Sequence, residues 1–191
     1  MTRRCASRMF LAIGGALVAV SAASQTPKPA SAACLTKPAE LKEKVAGLNA
    51  ADPMTRLATF NEMLVSCDPA QREVAYERGF ASSEQTVRAL TLRAKLRDAK
   101  TLMLELVAPK DADDAAHKAI KALGGQVDIP ISSYIADTGE LKMGGYTGRV
   151  SGTSLNFTYG SCKGVLQLGE SGVLAGTVAC WNSPLAGKIQ L

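Results

Sequence analysis

Histidine, aromatic side chains and long apolar runs are all scarce in this 191-residue chain, and each scarcity excludes something. His117 is the only histidine, so a zinc site would have to be completed by other ligands. A serine or cysteine nucleophile would have that single imidazole to activate it. No C-x-x-C occurs, which removes the usual dithiol redox centre and the zinc knuckle. No G-x-S-x-G occurs either. The one glycine-rich stretch, Gly144-Gly145-Tyr146-Thr147-Gly148, runs into strand-like alternation where a phosphate loop would open a helix.

What remains of titratable chemistry is thin. Asp113 and His117 are four apart on an expected helix and share a face, but a two-ligand half-site is incomplete, and acids there complement the helix N-terminus. Glu140 and Glu170 adjoin expected turns, where solvation is the default. No catalytic, cofactor-binding or metal-ligating set is therefore assigned, and no cofactor is expected.

The formal charge of +5 misleads. Residues 1–33 hold Arg3, Arg4, Arg8 and Lys28 and no acid, leaving 18 basic against 17 acidic residues in 34–191. A near-neutral remainder has no basic footprint, so a nucleic-acid partner is not expected.

The basic residues Arg3, Arg4 and Arg8, the apolar run Met9 to Ala23 and the small residues beyond it have the three parts of a secretory signal. The run is shorter than the roughly 20 residues of a membrane-spanning helix. Residues 1–33 are thus expected to be a removed signal peptide, with cleavage after Ala22 or Ala23 or within Ala30-Ser31-Ala32-Ala33. A retained anchor is the competing reading. Cys34 superficially resembles a lipid acceptor, but Ser31 stands where a bulky aliphatic residue is usual. Arg3-Arg4 suggests twin-arginine export but lacks the apolar pair after it. The mature chain is expected to be periplasmic or secreted and not membrane-spanning.

Cysteine usage fits that compartment. Cys5 leaves with the signal, and Cys34, Cys67, Cys162 and Cys180 remain as an even set. Disulfides persist outside the cytoplasm.

Residues 34–100 read as helices. Asp52-Pro53 and Asp68-Pro69 each place an N-cap residue before proline at the first helical position, and Asp68 with Gln71 has capping-box spacing. Ser83-Glu84 opens the next helix. Asp52, Asp68 and Glu84 stand 16 residues apart, and Arg56, Arg72 and Arg88 follow each by four. Phe60, Tyr76 and Leu92 recur in the same register, as do Leu64, Phe80 and Leu96, giving each helix one apolar seam. Ala58, Val74 and Leu90 point roughly the other way, so each helix is expected to be sandwiched between neighbours. Over residues 52–98 this pattern, notably Ser83-Glu-Gln-Thr-Val-Arg-Ala-Leu-Thr-Leu-Arg-Ala, resembles HEAT-like helical repeats. The resemblance implies a stacked layer that offers a surface to a partner; a plain bundle fits the same residues.

Residues 101–125 form a link. Thr101 to Val107 is a strand or the end of a helix, and Asp111 to Leu123 is a helix stopped by Gly124-Gly125. Residues 126–191 alternate in short runs punctuated by glycine, the pattern of an antiparallel sheet closing on itself as a small barrel or sandwich. The fold class is α+β. One hairpin can be registered: centred on Ser171, it sets Leu168 opposite Leu174, Leu166 opposite Gly176, Gly164 opposite Val178 and Cys162 opposite Cys180. A directly opposed non-hydrogen-bonded pair lies within disulfide range. Cys34 is then left to Cys67.

Tyr134, Tyr146, Tyr159 and Trp181 are the candidate binding surface, since exposed aromatics mark recognition sites. For Trp181, packing between sheet and helices is the preferred alternative. The expected function is a non-enzymatic exported binding or accessory protein acting on a protein or cell-envelope component. The alternative is an envelope-directed hydrolase or hydrolase inhibitor working through the β region.

Overall fold

The computed structural model describes residues 34–191, so the expected signal peptide and its cleavage site lie outside the described residues. Five helices and nine strands make an α+β fold. The helices α1 (Pro38–Leu48), α2 (Pro53–Leu64), α3 (Pro69–Phe80) and α4 (Gln85–Asp98) come first. After them come β1 (Thr101–Val107) and α5 (Asp114–Leu123). The remaining strands are β2 (Gln126–Pro130), β3 (Ser133–Ile135), β4 (Glu140–Met143), β5 (Tyr146–Ser151), β6 (Ser154–Tyr159), β7 (Cys162–Leu168), β8 (Val173–Cys180) and β9 (Ser183–Gln190). No described helix is long and apolar enough to cross a membrane.

The 16-residue register is built into the backbone. The helices α2, α3 and α4 have Asp52, Asp68 and Glu84 as N-caps. The amides of Arg56, Arg72 and Arg88 donate to those three carbonyls. The Asp52 and Asp68 carboxylates accept amide hydrogens of the first turn, from Met54 and Thr55 and from Ala70, satisfying donors that a helix start leaves free. The turns repeat as well: the amides of Asp68 and Glu84 donate to the Ser66 and Ser82 hydroxyls at 3.1 Å. Arg56 reaches back to the Ala50 carbonyl and Arg72 to that of Ser66, the same six-residue step. Arg88 breaks the pattern. Its guanidinium crosses to the sheet, donating to the carbonyls of Leu168 and Gly169.

Two local expectations are corrected here. Asp68 and Gln71 do not close a capping box, because the Gln71 amide donates to the Thr36 hydroxyl instead. The Asp68 carboxylate also takes the Thr36 amide, at 2.9 Å, so the segment leading to α1 occupies that helix start. The second apolar seam is only half present. Ala58 is exposed, while Val74 and Leu90 are partly buried, so the second seam does not extend to α2. The first seam is buried throughout, from Phe60 and Leu64 to Leu92 and Leu96. A Cβ on Gly79 would run into the Thr91 side chain, so glycine lets α3 approach α4.

All nine strands form one antiparallel sheet in the order β2-β1-β9-β8-β7-β6-β5-β4-β3, curled into a half-barrel. Strand β1 pairs with both β2 and β9, so the run Thr101–Val107 is a strand integral to the sheet. The two outermost strands β2 and β3 are consecutive in sequence and joined by Ile131-Ser132. The Ile131 amide donates to Lys100 on one side, and the Ser132 amide donates to Lys142 on the other. One short segment thus carries both margins of the sheet, which is why it curls.

Side-chain alternation fixes the two faces. Leu104, Ile129, Leu141, Leu155, Leu166, Leu174, Leu185 and Ile189 point inward and are fully buried. Phe157 on β6 faces Gly148 on β5 and Gly164 on β7. A Cβ at Gly164 would stand 2.7 Å from the Phe157 ring, so that glycine leaves the space the ring fills. Helices and inner sheet face share one apolar core.

The hairpin β7–β8 has the expected register, with Cys162 opposite Cys180 and Leu168 opposite Leu174. Ser171 sits at its centre with φ 54°. Both disulfides are present: Cys162–Cys180 with Cα atoms 4.1 Å apart and Cys34–Cys67 with Cα atoms 5.5 Å apart. The pairs are consistent with an oxidising compartment. The Cys34 sulfur, held by Cys67, is not a free thiol for a lipid.

Helix α5 begins at Asp114, three residues later than expected, because the Asp113 carboxylate caps it by accepting the Ala116 amide at 2.8 Å. It ends where Gly124 takes the left-handed conformation, φ 70°.

Candidate functional site

The outward face of the sheet is its most extended accessible feature. Cross-strand partners form a continuous row over it: Ile135, Glu140, Arg149, Asn156, Val165, Thr177, Ala186 and Val107. The register that buries the leucines necessarily turns this set outward. Short side chains in the middle of the row leave a broad, shallow depression of about 610 Å³ over β4 to β8. Thr147, Arg149, Asn156, Thr158, Lys163 and Val165 border it. Val165 is 50% exposed at its floor, a β-branched apolar residue among hydroxyls and amides.

Its electrostatics are lopsided. Glu140 pairs with Lys142, and the hydrogen bond and charge of Lys142, helped by Arg149, hold the Glu140 carboxyl below the usual range. It is therefore ionised and locally neutralised. Among the described residues no salt bridge involves Arg149 or Lys163. The face thus offers two free cations, several hydroxyls and one apolar patch, a set suited to recognising a polar, partly acidic surface.

The four aromatic residues singled out from sequence are divided by the fold. Tyr146 and Tyr159 meet edge to face, ring centroids 5.5 Å apart. They flank the β4–β5 and β6–β7 turns at one end of the sheet. Trp181 belongs to the β8–β9 turn at that same end, where its amide donates to the Ser161 carbonyl at 3.1 Å. It is 54% exposed, so packing between the layers, the preferred sequence reading, is corrected. Trp181 and Asn182 take φ 47° and 65°, the two left-handed residues of a tight hairpin turn, and this lifts the indole out of the strand. Tyr134 stands apart on β3, opposite Leu141 and turned toward α4.

His117 is exposed, and the Asp113 carboxylate beside it is spent on the helix cap. Among the described residues no cluster of three or more His, Cys, Asp or Glu side chains is arranged for a metal. The most connected ionic arrangement lies within the helices. Asp98 accepts from the Tyr76 hydroxyl at 2.7 Å and pairs with Arg72 and Arg97. Burial pushes the Asp98 carboxyl up, but the hydrogen bonds from Tyr76 and Arg97 and the two arginine charges outweigh it and leave it below its ordinary value. Burial, and then the hydrogen bond to Asp98, pushes the Tyr76 hydroxyl well up. The network links α3 to α4.

Sequence reasoning grouped the four aromatics as one surface, of which the fold brings Tyr146, Tyr159 and Trp181 to one end of the sheet, and it missed the outward row. The signal was available in the polar positions alternating with the buried leucines, once Cys162 opposite Cys180 had fixed the register. Compared with known proteins, the chain matches no family model, no curated protein and no solved structure.

Proposed function

We propose that this is an exported, non-enzymatic binding or accessory protein, periplasmic or secreted, whose outward sheet face docks a protein or cell-envelope component. The observation that carries the reading is the in-register row from Glu140 to Ala186, with its shallow depression and its unpaired Arg149 and Lys163. Wide, shallow, mixed surfaces suit macromolecular partners, whereas small-molecule sites are concave and enclosing. Tyr146 and Trp181 extend the surface at one end of the sheet as exposed aromatic contacts.

Export rests on the basic–apolar–small pattern of residues 1–33, with cleavage between Ala22 and Cys34, and the two disulfides support it. The helical layer is proposed to be HEAT-like, supported by acidic N-cap residues 16 apart at the starts of α2, α3 and α4. Its role here is to back the sheet.

The test is co-sedimentation of the mature protein with isolated cell envelopes. Arg149→Glu combined with Val165→Asp should abolish retention, while Met54→Asp on exposed α2 should leave it unchanged. Equal retention of all three proteins contradicts the reading. In the alternative, an envelope-directed hydrolase or hydrolase inhibitor, Glu140 is the acid bordering the depression. Release of soluble fragments from envelopes, lost in Glu140→Gln, would establish the hydrolase instead.

A further inference from the structure

The two disulfides stand in opposite surroundings. Cys162 and Cys180 face each other across β7 and β8 and are 3% and 0% exposed. Cys67, in the turn before α3, is exposed, and Cys34, ahead of α1, is half-buried. Reduction needs a thiolate to reach one sulfur of the bond, so access decides which disulfide exchanges first. The Cys34–Cys67 bond can be met at the surface of the folded chain. The Cys162–Cys180 bond can be met only after the sheet opens.

What the exposed bond holds is α1. None of its 11 residues is buried, whereas α2, α3, α4 and α5 each bury two or more. It rests on partly buried Leu41 and Leu48 and on Gly47, where a Cβ would stand 2.8 Å from the Thr59 hydroxyl. Lys44 adds a pair with Glu62 that is largely open to solvent and so contributes little. A helix this short is marginal in water without tertiary support. The other attachments lie just ahead of it. Cys34 is bonded to Cys67, and Thr36 donates its amide to Asp68 and accepts at its hydroxyl from Gln71. With the disulfide cut, Thr36 remains as the tether and hydrogen bonds alone hold that end of the helix. Leu48 lines a slot of about 200 Å³ together with Leu57, Phe60 and Val87, so an opened α1 withdraws it from apolar surface of α2 and α4.

We propose that Cys34–Cys67 is a thiol–disulfide exchange site for a dithiol reductant, and that its reduction opens α1 while Cys162–Cys180 stays oxidised. One thiolate of the reductant attacks the Cys67 sulfur, the bond to Cys34 breaks, and Cys34 leaves as a thiolate that takes a proton from water. The second thiol of the reductant loses its proton and attacks the mixed disulfide, releasing Cys67, which is protonated in turn. The reductant ends as a disulfide, oxidised by two electrons, and the chain gains two thiols. The exchange is reversible, and re-forming the bond closes α1. It involves the helical layer alone, so it does not depend on the outward row.

The experiment exposes the mature, disulfide-bonded protein to dithiothreitol at neutral pH, blocks new thiols with iodoacetamide at intervals and locates them by peptide mapping. Amide exchange is followed in parallel. Cys34 and Cys67 should be labelled together, about a hundredfold or more faster than Cys162 and Cys180, which wait for an opening that a stable sheet makes rarely. Helix α1 should then lose its amide protection while α4, β7 and β8 keep theirs, and oxidised glutathione should restore it. Cys34→Ser with Cys67→Ser should show the open α1 without reductant and no further response to it. Equal labelling of all four cysteines, or labelling only once denaturant has unfolded the chain, would overturn the proposal. So would an α1 that keeps its protection after Cys34 and Cys67 are reduced.

Discussion

The helical layer and the sheet of this chain are specified in different ways. In the helices each instruction is local: an acidic N-cap, followed by proline in α2 and α3 and preceded by a serine in α3 and α4, with an arginine four residues on. Repeating it every 16 residues gives three helices with the same start. In the sheet the instruction is relational. Leu166 is buried and Val165 exposed because a turn at Ser171 and a disulfide at Cys162–Cys180 fix the register, and a slip of one residue would exchange them. A locally specified layer tolerates the loss of one element. A registered layer keeps its faces only while its pins hold.

The sharpest way to break that comparison is to remove the disulfides one at a time. Cys34→Ser with Cys67→Ser should cost about 3–4 kcal/mol on the chain-entropy argument, because it opens a 33-residue span. The damage should stay near α1 and the start of α3, with Asp68 still accepting the Thr36 amide. Cys162→Ser with Cys180→Ser should cost about 2–4 kcal/mol. It should raise amide exchange across β7 and β8 while α2 and α3 keep their protection. Native-state hydrogen exchange of both variants reads the outcome, and equal loosening of both layers would erase the distinction.

The next effect is at the join. Arg88 is the one repeat arginine that leaves its own layer, donating to the Leu168 and Gly169 carbonyls. Arg88→Ala should cost about 1.5–3 kcal/mol, as for hydrogen bonds from a charged donor. Arg56→Ala loses bonds to neighbouring turn carbonyls and an exposed ion pair with Glu84 and should cost about 0.5 kcal/mol, within the range of surface changes. Denaturant midpoints of the two variants compare them, and similar losses would make Arg88 an ordinary member of the repeat.

This contrast also marks how far the sequence could be read. The aspartate caps, the first apolar seam and the 16-residue register were legible because they are set within one or two turns of helix. The Cys162–Cys180 hairpin was legible because alternation, turn and cysteine spacing all bear on one short segment. Arg88 was not, since it occupies the same register position as Arg56 and Arg72 and its acceptors are 80 residues away. Nor was the turn at Trp181-Asn182, because tryptophan is not a residue that turn chemistry selects for positive φ. The capping box at Asp68 failed for a related reason: Thr36, far away in sequence, competes for both of its members. The outward row needs side chains from several strands, which no local pattern brings together.

Caps should give smaller effects. Asp52→Ala should cost about 1 kcal/mol, and Asp68→Ala somewhat more, because Asp68 also holds the Thr36 amide. If Asp52→Ala proves the worse of the two, the segment before α1 is not anchored at Asp68.

The smallest effect is with pH. The Asp98 carboxyl is held below its ordinary value in the folded chain. Its contribution is therefore fully present above the unfolded value, about pH 4, and lost as pH falls through the lower folded one. Asp98 is largely open to solvent screening, so the difference should be at most about 1 kcal/mol. Denaturant midpoints between pH 6 and 2.5 should fall less steeply in Asp98→Asn than in the parent, and parallel curves would remove Asp98 from the account.

The central claim is that the outward sheet face meets the partner and the helices back it. Photo-crosslinking addresses this most directly, with a photoreactive residue placed singly at Val165 or at Val65, both exposed, and the mature protein bound to isolated envelopes. The account predicts a discrete crosslinked species from position 165 and none from position 65. Crosslinks from position 65 alone would contradict it and assign the partner to the helical layer.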